Sequence, residues 1–228
     1  KGRADLVTEF DRRSEAHITE RLLALAPEIP VVGEEQSGGD AARPRGLVWY
    51  VDPLDGTTNF VHGHPFFNVS IGLMLDDEPV AGAVVAPVLA LRYRAYRSAA
   101  DGGEALRNDE PCEVSPVATL AKAMIGTGFP GNRDASPGNN FGSFIEVKRA
   151  AQAVRRCGAA ALVLCFVGDG TYEGFWERTL HTWDVCAASA LVLAAGGRVT
   201  ALDGGPVRYH AGHIAASNGK VHDALVAA

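Results

Sequence analysis

The most constraining feature is the segment Trp49-Tyr50-Val51-Asp52-Pro53-Leu54-Asp55-Gly56-Thr57-Thr58-Asn59-Phe60. The apolar run Leu47 to Val51 reads as a buried strand that stops at Asp52. Pro53 stiffens the chain and has no N–H to satisfy. Asp55 follows three residues after Asp52, so both carboxylates can turn toward one place, with the Leu54 carbonyl between them as a neutral oxygen. Gly56 lets the backbone approach an anion closely. Gly56-Thr57-Thr58 can open a helix whose free N–H groups hold a phosphate, and Thr57 adds a hydroxyl. Two acids and a carbonyl within four residues suit a hard, oxygen-preferring cation, Mg²⁺ above all.

The rest of the chain frames that segment. Thr8 to Asp11 reads as a capping-box variant opening a helix, with Ile18, Leu22 and Leu25 on one face and Pro27 ending it. Val31 and Val32 lead into Gly33-Glu34-Glu35, a second acidic pair, and Gln36 to Gly46 reads as a loop. Phe66 to Leu75 and Val80 to Pro87 are expected to form a hairpin through Asp76, Asp77 and Glu78. Leu91 to Tyr96 alternates as a half-exposed strand does, and Met124 to Gly128 is another strand. Gly131 to Asn140 reads as a linker or lid. Beyond it come a helix over Phe141 to Val154, an apolar helix from Gly158, a strand near Tyr172 to Trp176, and a helix from Thr182 to Ala195 closed by Gly196-Gly197. Strands at Arg198 to Leu202 and Ile214 to Ser217 follow. Strands first and alternation later predict an antiparallel-sheet half, residues 1–135, joined to a smaller α/β half, residues 136–228, with the boundary in the Gly131 to Asn140 loop.

Composition narrows the function classes. The chain has 228 residues, 47% hydrophobic and 21% charged, with a formal net charge of −6. Scattered Lys and Arg argue against nucleic acid as a partner, since backbone binding needs clustered positive charge. An acidic protein that handles an anionic phosphate needs a local remedy, and a bound metal supplies one. No apolar stretch reaches the roughly 20 residues that span a bilayer, and no secretory signal opens the chain. Cys112, Cys157, Cys165 and Cys186 lack CxxC spacing and read as free thiols, with the cytoplasm as the expected compartment. His62, His64, His181, His210 and His213 lack metal-ligand spacing, although His181 lies three residues before Asp184.

Read together, Asp5-Leu6-Val7-Thr8-Glu9-Phe10-Asp11, Gly33-Glu34-Glu35, Asp52 to Phe60 and Trp183-Asp184-Val185-Cys186-Ala187-Ala188 resemble the inositol monophosphatase family in order and spacing, over nearly the whole chain. The Asp52 to Phe60 motif is the specific one. The resemblance implies a layered α-β-α-β-α sugar-phosphatase fold and two or three Mg²⁺ ions acting on a small phosphate monoester. It implies that Glu34, Asp52 and the Leu54 carbonyl hold one ion, that Asp52, Asp55 and Asp184 hold a second, and that Glu34 helps hold a third. Thr57 and Asp11 would orient and deprotonate the attacking water, with Glu34 nearby. The Gly56 and Thr57 amides would bind phosphate. Glu177 and Ala160, with Asp55 and Asp184, would face the substrate, and Gly158 would allow its close approach. The resemblance further implies a homodimer, and an N-terminal helix preceding Lys1.

Three positions depart from the family pattern. Ala159 stands where Ser or Thr is common, and Cys186 and Ala188 replace Ala and Gly. Glu177 keeps an acceptor for ring hydroxyls, which favours an inositol-type monophosphate. Histidinol phosphate and a silent metal- or sugar-phosphate-binding module are the alternatives. A haloacid-dehalogenase-type phosphatase would place its two aspartates two residues apart, whereas Asp52 and Asp55 are three apart.

Overall fold

The computed structural model describes residues 7–37, 44–100, 102–129 and 139–228. Asp5 and Leu6 of the first motif, most of the Gln36 to Gly46 loop's centre, and Gly131 to Gly138 of the expected lid lie outside them.

The chain opens with α1 (Glu9–Leu25), whose N-cap is Thr8 with Asp11 completing the capping box. β1 (Val31–Gly33) and the one-turn α2 (Glu34–Ser37) follow. β2 (Leu47–Asp55) runs past Asp52, where the sequence pattern stopped it. It pairs with β3 (Asn68–Leu75) in register to Asp52, shifts, and rejoins at Asp55 with Asn68. Pro53 cannot donate to the ladder, and an irregularity of this kind re-aims side chains at a strand end. Between them lies α3 (Thr57–Val61), with Gly56 in the left-handed region at φ 91°.

β4 (Glu78–Ala86) returns from β3 through the expected Asp76-Asp77 turn, and β5 (Leu91–Tyr96) alternates between exposed and buried. β6 (Glu104–Arg107) and β7 (Glu110–Pro111) complete a seven-stranded sheet in sequential order. All its pairings are antiparallel except β1 with β2. The short strands β6 and β7, of which β7 is the sheet edge, carry little hydrophobic pattern and were not anticipated.

β8 (Met124–Thr127) belongs to a second sheet. The helix expected over Phe141 to Val154 is shorter: α4 (Phe141–Ala150) ends where Ala151 turns extended, and β9 (Ala153–Arg155) pairs parallel with β8. α5 (Ala160–Gly168), β10 (Gly174–Arg178), α6 (Thr182–Ala194), β11 (Arg198–Thr200) and β12 (His213–Ser217) follow as expected, and the unforeseen α7 (His222–Ala227) closes the chain. The second sheet is ordered β11-β12-β10-β8-β9. The sheets change over in residues 112–123, ahead of the loop expected to hold the boundary, because Met124 to Thr127 finds parallel partners on both sides.

The layers run α1, first sheet, α5 and α6, second sheet, then α4 and α7. The fold is therefore the layered α+β arrangement. α5 and α6 are apolar on nearly every side because both sheets cover them. The main core joins Val48, Tyr50, Met74 and Val84 of the first sheet to Leu162, Val163, Leu164, Cys186 and Leu191 of these helices and to Phe175 and Ile214 of the second. α6 lies unusually close to the first sheet. A Cβ on Gly72 would overlap Cys186, and one on Gly82 would overlap the Ala187 backbone. Among the described residues no helix is long and apolar enough to cross a membrane.

Candidate active site

The site forms where β2 ends and the N-termini of α3, α5 and α6 converge. Asp11 is fully buried and accepts hydrogen bonds from the backbone N–H and the hydroxyl of Thr8. Its other oxygen lies 3.2 Å from the Thr57 hydroxyl, which is also 3.0 Å from the Leu54 carbonyl. Ser14 donates to the Pro53 carbonyl at 3.0 Å, holding α1 against the Asp52 to Asp55 segment.

Asp52, 2% exposed, accepts the Leu54 N–H at 3.0 Å on Oδ1. Asp55 is fully engaged: Oδ1 accepts the Ala160 N–H at 3.1 Å, and Oδ2 accepts the Ala161 N–H and the Asn68 amide, both at 2.8 Å. The first N–H groups of a helix have no partner within it. Ala159, at the N-cap of α5, has no side-chain oxygen to offer, so Asp55 caps that helix from a strand 105 residues away. Asp184, in the first turn of α6, accepts the His181 N–H at 2.6 Å. His181 itself stacks on Trp183, with ring centroids 4.6 Å apart.

The electrostatics are those of anions pressed together. Burial, then the charges of Asp55, Glu34 and Asp184, push the Asp52 carboxyl well above its ordinary range. Burial, with Asp55 and Glu34, does the same to Asp184, which also shares a hydrogen bond with Asp52. Asp55 is raised to about 6 by burial, against the pull of its N–H donors. The charges acting on Asp52 are all of one sign. Among the described residues no three Asp, Glu, His or Cys side chains already stand closed around one point. The donor set nevertheless fits a hard divalent cation: carboxylates and the Leu54 carbonyl, oxygens only, carrying repulsion that a cation relieves.

Beside this cluster lies a cavity of about 160 Å³. Asp55, Asp184, Gly158, Ala159, Ala160 and Glu177 line it, together with Thr127, Gly128 and Arg156. Glu177 is raised to about 8 by burial and by Asp184 and Asp55, while Arg156 draws it down. The structure thus gathers the expected substrate-facing residues at one cavity, shared with Asp55 and Asp184. Asp11, Thr57, Asp52 and Glu34 meet on the β2 side. Sequence reasoning missed Asn68 and Arg156, and it missed Glu15, whose carboxylate is buried beside α2. Only Glu15 left a trace, one helical turn beyond Asp11 on α1.

The model of the Inositol monophosphatase family matches residues 1–228. The chain belongs to the inositol monophosphatase family. It is 42% identical over 227 residues to the inositol-1-monophosphatase of Synechocystis sp., covering 99% of this chain and 77% of that protein. The solved inositol monophosphatase of Anabaena (Nostoc) sp. superposes with a TM-score of 0.87 at 38% identity, over 95% of this chain and 84% of that one. The extragenic suppressor protein suhB of Bartonella henselae gives 0.87 at 36% identity, over 100% and 85%. As a member of the inositol monophosphatase family the chain is a phosphoric monoester hydrolase, of a metal-dependent family.

Proposed function

We propose that this chain hydrolyses a small polyol phosphate, inositol monophosphate foremost, using Mg²⁺ and an activated water without a phosphoenzyme. The observation that carries the reading is the one-signed carboxylate cluster of Glu34, Asp52, Asp55 and Asp184, of which Asp55 and Asp184 line a cavity shared with Glu177. In this reading Glu34, Asp52, Asp55, Asp184 and the Leu54 carbonyl hold two or three ions. When bound, Mg²⁺ supplies Lewis acidity: it offsets the ester's charge and makes water a better nucleophile.

The chain's own groups do the remainder. The Thr57 hydroxyl, between Asp11 and the Leu54 carbonyl, orients the water, and Asp11 Oδ1 takes its proton. The Gly56 and Thr57 N–H groups at the start of α3 hold phosphate oxygens. The N-termini of α5 and α6 add positive potential at the same place. Glu177 faces a ring hydroxyl, Gly158 and Ala160 form the wall, and Asp55 and Asp184 border the leaving group. Ala159 makes that wall smooth and apolar where a hydroxyl would grip the substrate.

The test is phosphate release from inositol 1-phosphate, histidinol phosphate, fructose 1,6-bisphosphate and adenosine 3′,5′-bisphosphate with Mg²⁺. Preference for the inositol ester, abolished by chelator, is the expected result. Preference for histidinol phosphate would move the substrate within the same chemistry. Turnover of none of the four, with Mg²⁺ bound, would point to a different phosphate ester or to a silent binding module.

A further inference from the structure

Glu15 has no part in the chemistry above, yet its carboxylate is only 1% exposed. It lies one turn beyond Asp11 on α1. Oε2 accepts the Glu35 N–H at 2.8 Å, and Oε1 accepts the Gln36 N–H at 3.0 Å. These residues follow Glu34 in the first turn of α2. The residue before that turn, Gly33, has no side chain to cap it, and a Cβ there would overlap the Glu15 carboxyl. The acceptor that a helix start normally takes from its own N-cap is thus delivered by another helix, twenty residues earlier in the chain.

A single helical turn has no stability of its own. What holds the first turn of α2 therefore sets where Glu34 sits. The charge of Glu34 is felt by both Asp52 and Asp184, so its placement matters to the whole cluster. α1 also carries Asp11 and, through Ser14, the Pro53 carbonyl. One helix thus holds both sides of the cluster.

We infer that Glu15 is a positioning residue that fixes the first turn of α2 and so presents the Glu34 carboxylate to a divalent cation. The inference rests on the proposed role of Glu34 as a metal ligand. Partners of metal ligands typically change metal affinity by about 10- to 100-fold when removed. A residue that merely fills the core would change stability alone.

The test is direct Mg²⁺ binding by calorimetry, without substrate, to the unsubstituted chain, Glu34→Gln and Glu15→Gln. In Glu15→Gln one N–H keeps its acceptor and the other meets an amide donor. The expected result is Mg²⁺ affinity lowered about 10-fold in Glu15→Gln, with KM for the ester at saturating Mg²⁺ within about 2-fold of the parent. Unchanged Mg²⁺ affinity in a folded Glu15→Gln of lowered melting temperature overturns the inference, leaving the metal reading intact if Glu34→Gln still binds more weakly. Unchanged affinity in Glu34→Gln removes both. Should Glu15→Gln not fold, hydrogen exchange of the Glu35 and Gln36 amides in the unsubstituted, chelated protein decides. Slow exchange supports the inference, and exchange at the rate of free peptide overturns it.

Discussion

Asp55 serves two structures at once. It borders the cavity as a candidate ligand, and it closes the N-terminus of α5 because Ala159 cannot. Asn68 holds it in that pose, and removing a hydrogen-bond donor from a buried carboxylate costs about 1–3 kcal/mol. Asn68→Ala is therefore expected to lower stability by that amount in urea unfolding, with Mg²⁺ affinity reduced as well. In the proposed reading Asp52 serves the metal-centred chemistry and Glu177 serves substrate recognition. Asp52→Asn is expected to lower kcat by roughly 100-fold or more, while Glu177→Ala mainly raises KM, by about 10-fold. If Glu177→Ala proved the more damaging to kcat, the chemistry would lie with the substrate pocket rather than the carboxylate cluster. The Asp52-to-Asp55 spacing was legible from residue types alone. The partners of Asp55 were not, because Asn68, Ala160 and Ala161 reach it only through folding.

At the scale of elements, the placement of α6 decides where Asp184 stands. The helix presses on β3 at Gly72 and on β4 at Gly82, where side chains would collide with it. Both glycines lie within strand patterns, a signal for close backbone approach that the alternation around them obscured. Overpacking such a contact costs about 1–3 kcal/mol. Gly82→Ala is expected to be the worse of the two in urea unfolding, because it meets only backbone at Ala187, whereas Gly72→Ala meets the Cys186 side chain as well. Equal midpoints for both variants and the parent would mean that α6 is not held at these points. Cys186, one of the departures from the family pattern, is completely buried at this seam. The shorter α4 and the extra β9 have a related lesson: residues 151–155 follow a helix without any breaker, and pairing with β8 determines their state.

For the whole molecule, the balance of charge sets the response to metal and pH. Glu177 and Asp55 have folded pKa values raised to about 8 and about 6, above those of the unfolded chain. Their contribution to the stability of the metal-free protein is full below about pH 4 and is lost as pH rises toward about 8. The chelated protein is thus expected to melt at a lower temperature at about pH 8.5 than at about pH 6. Mg²⁺ should raise the melting temperature at both, and by more at the higher pH, where fewer protons must be displaced. Scanning calorimetry with and without chelator reads all four values. A melting temperature indifferent to both Mg²⁺ and pH would remove the metal from the site.

The local signals were the ones written in short segments: the capping box at Thr8 and Asp11, the hairpin turn at Asp76-Asp77, the apolar α5 and α6, and the acidic motif ending β2. Each depends on neighbours within a few residues, so residue type and spacing determine it. The convergence of Asp11, Glu34, Asp52, Asp55, Asp184 and Glu177 is a different matter. Burying so many acids together is unfavourable by itself, and no local preference brings it about. It depends on the helix N-termini that two packed sheets aim at one point, on the glycines that admit α6, and on carboxylates such as Asp55 and Glu15 that cap helices from across the fold. Those distances exist only once the layers have packed.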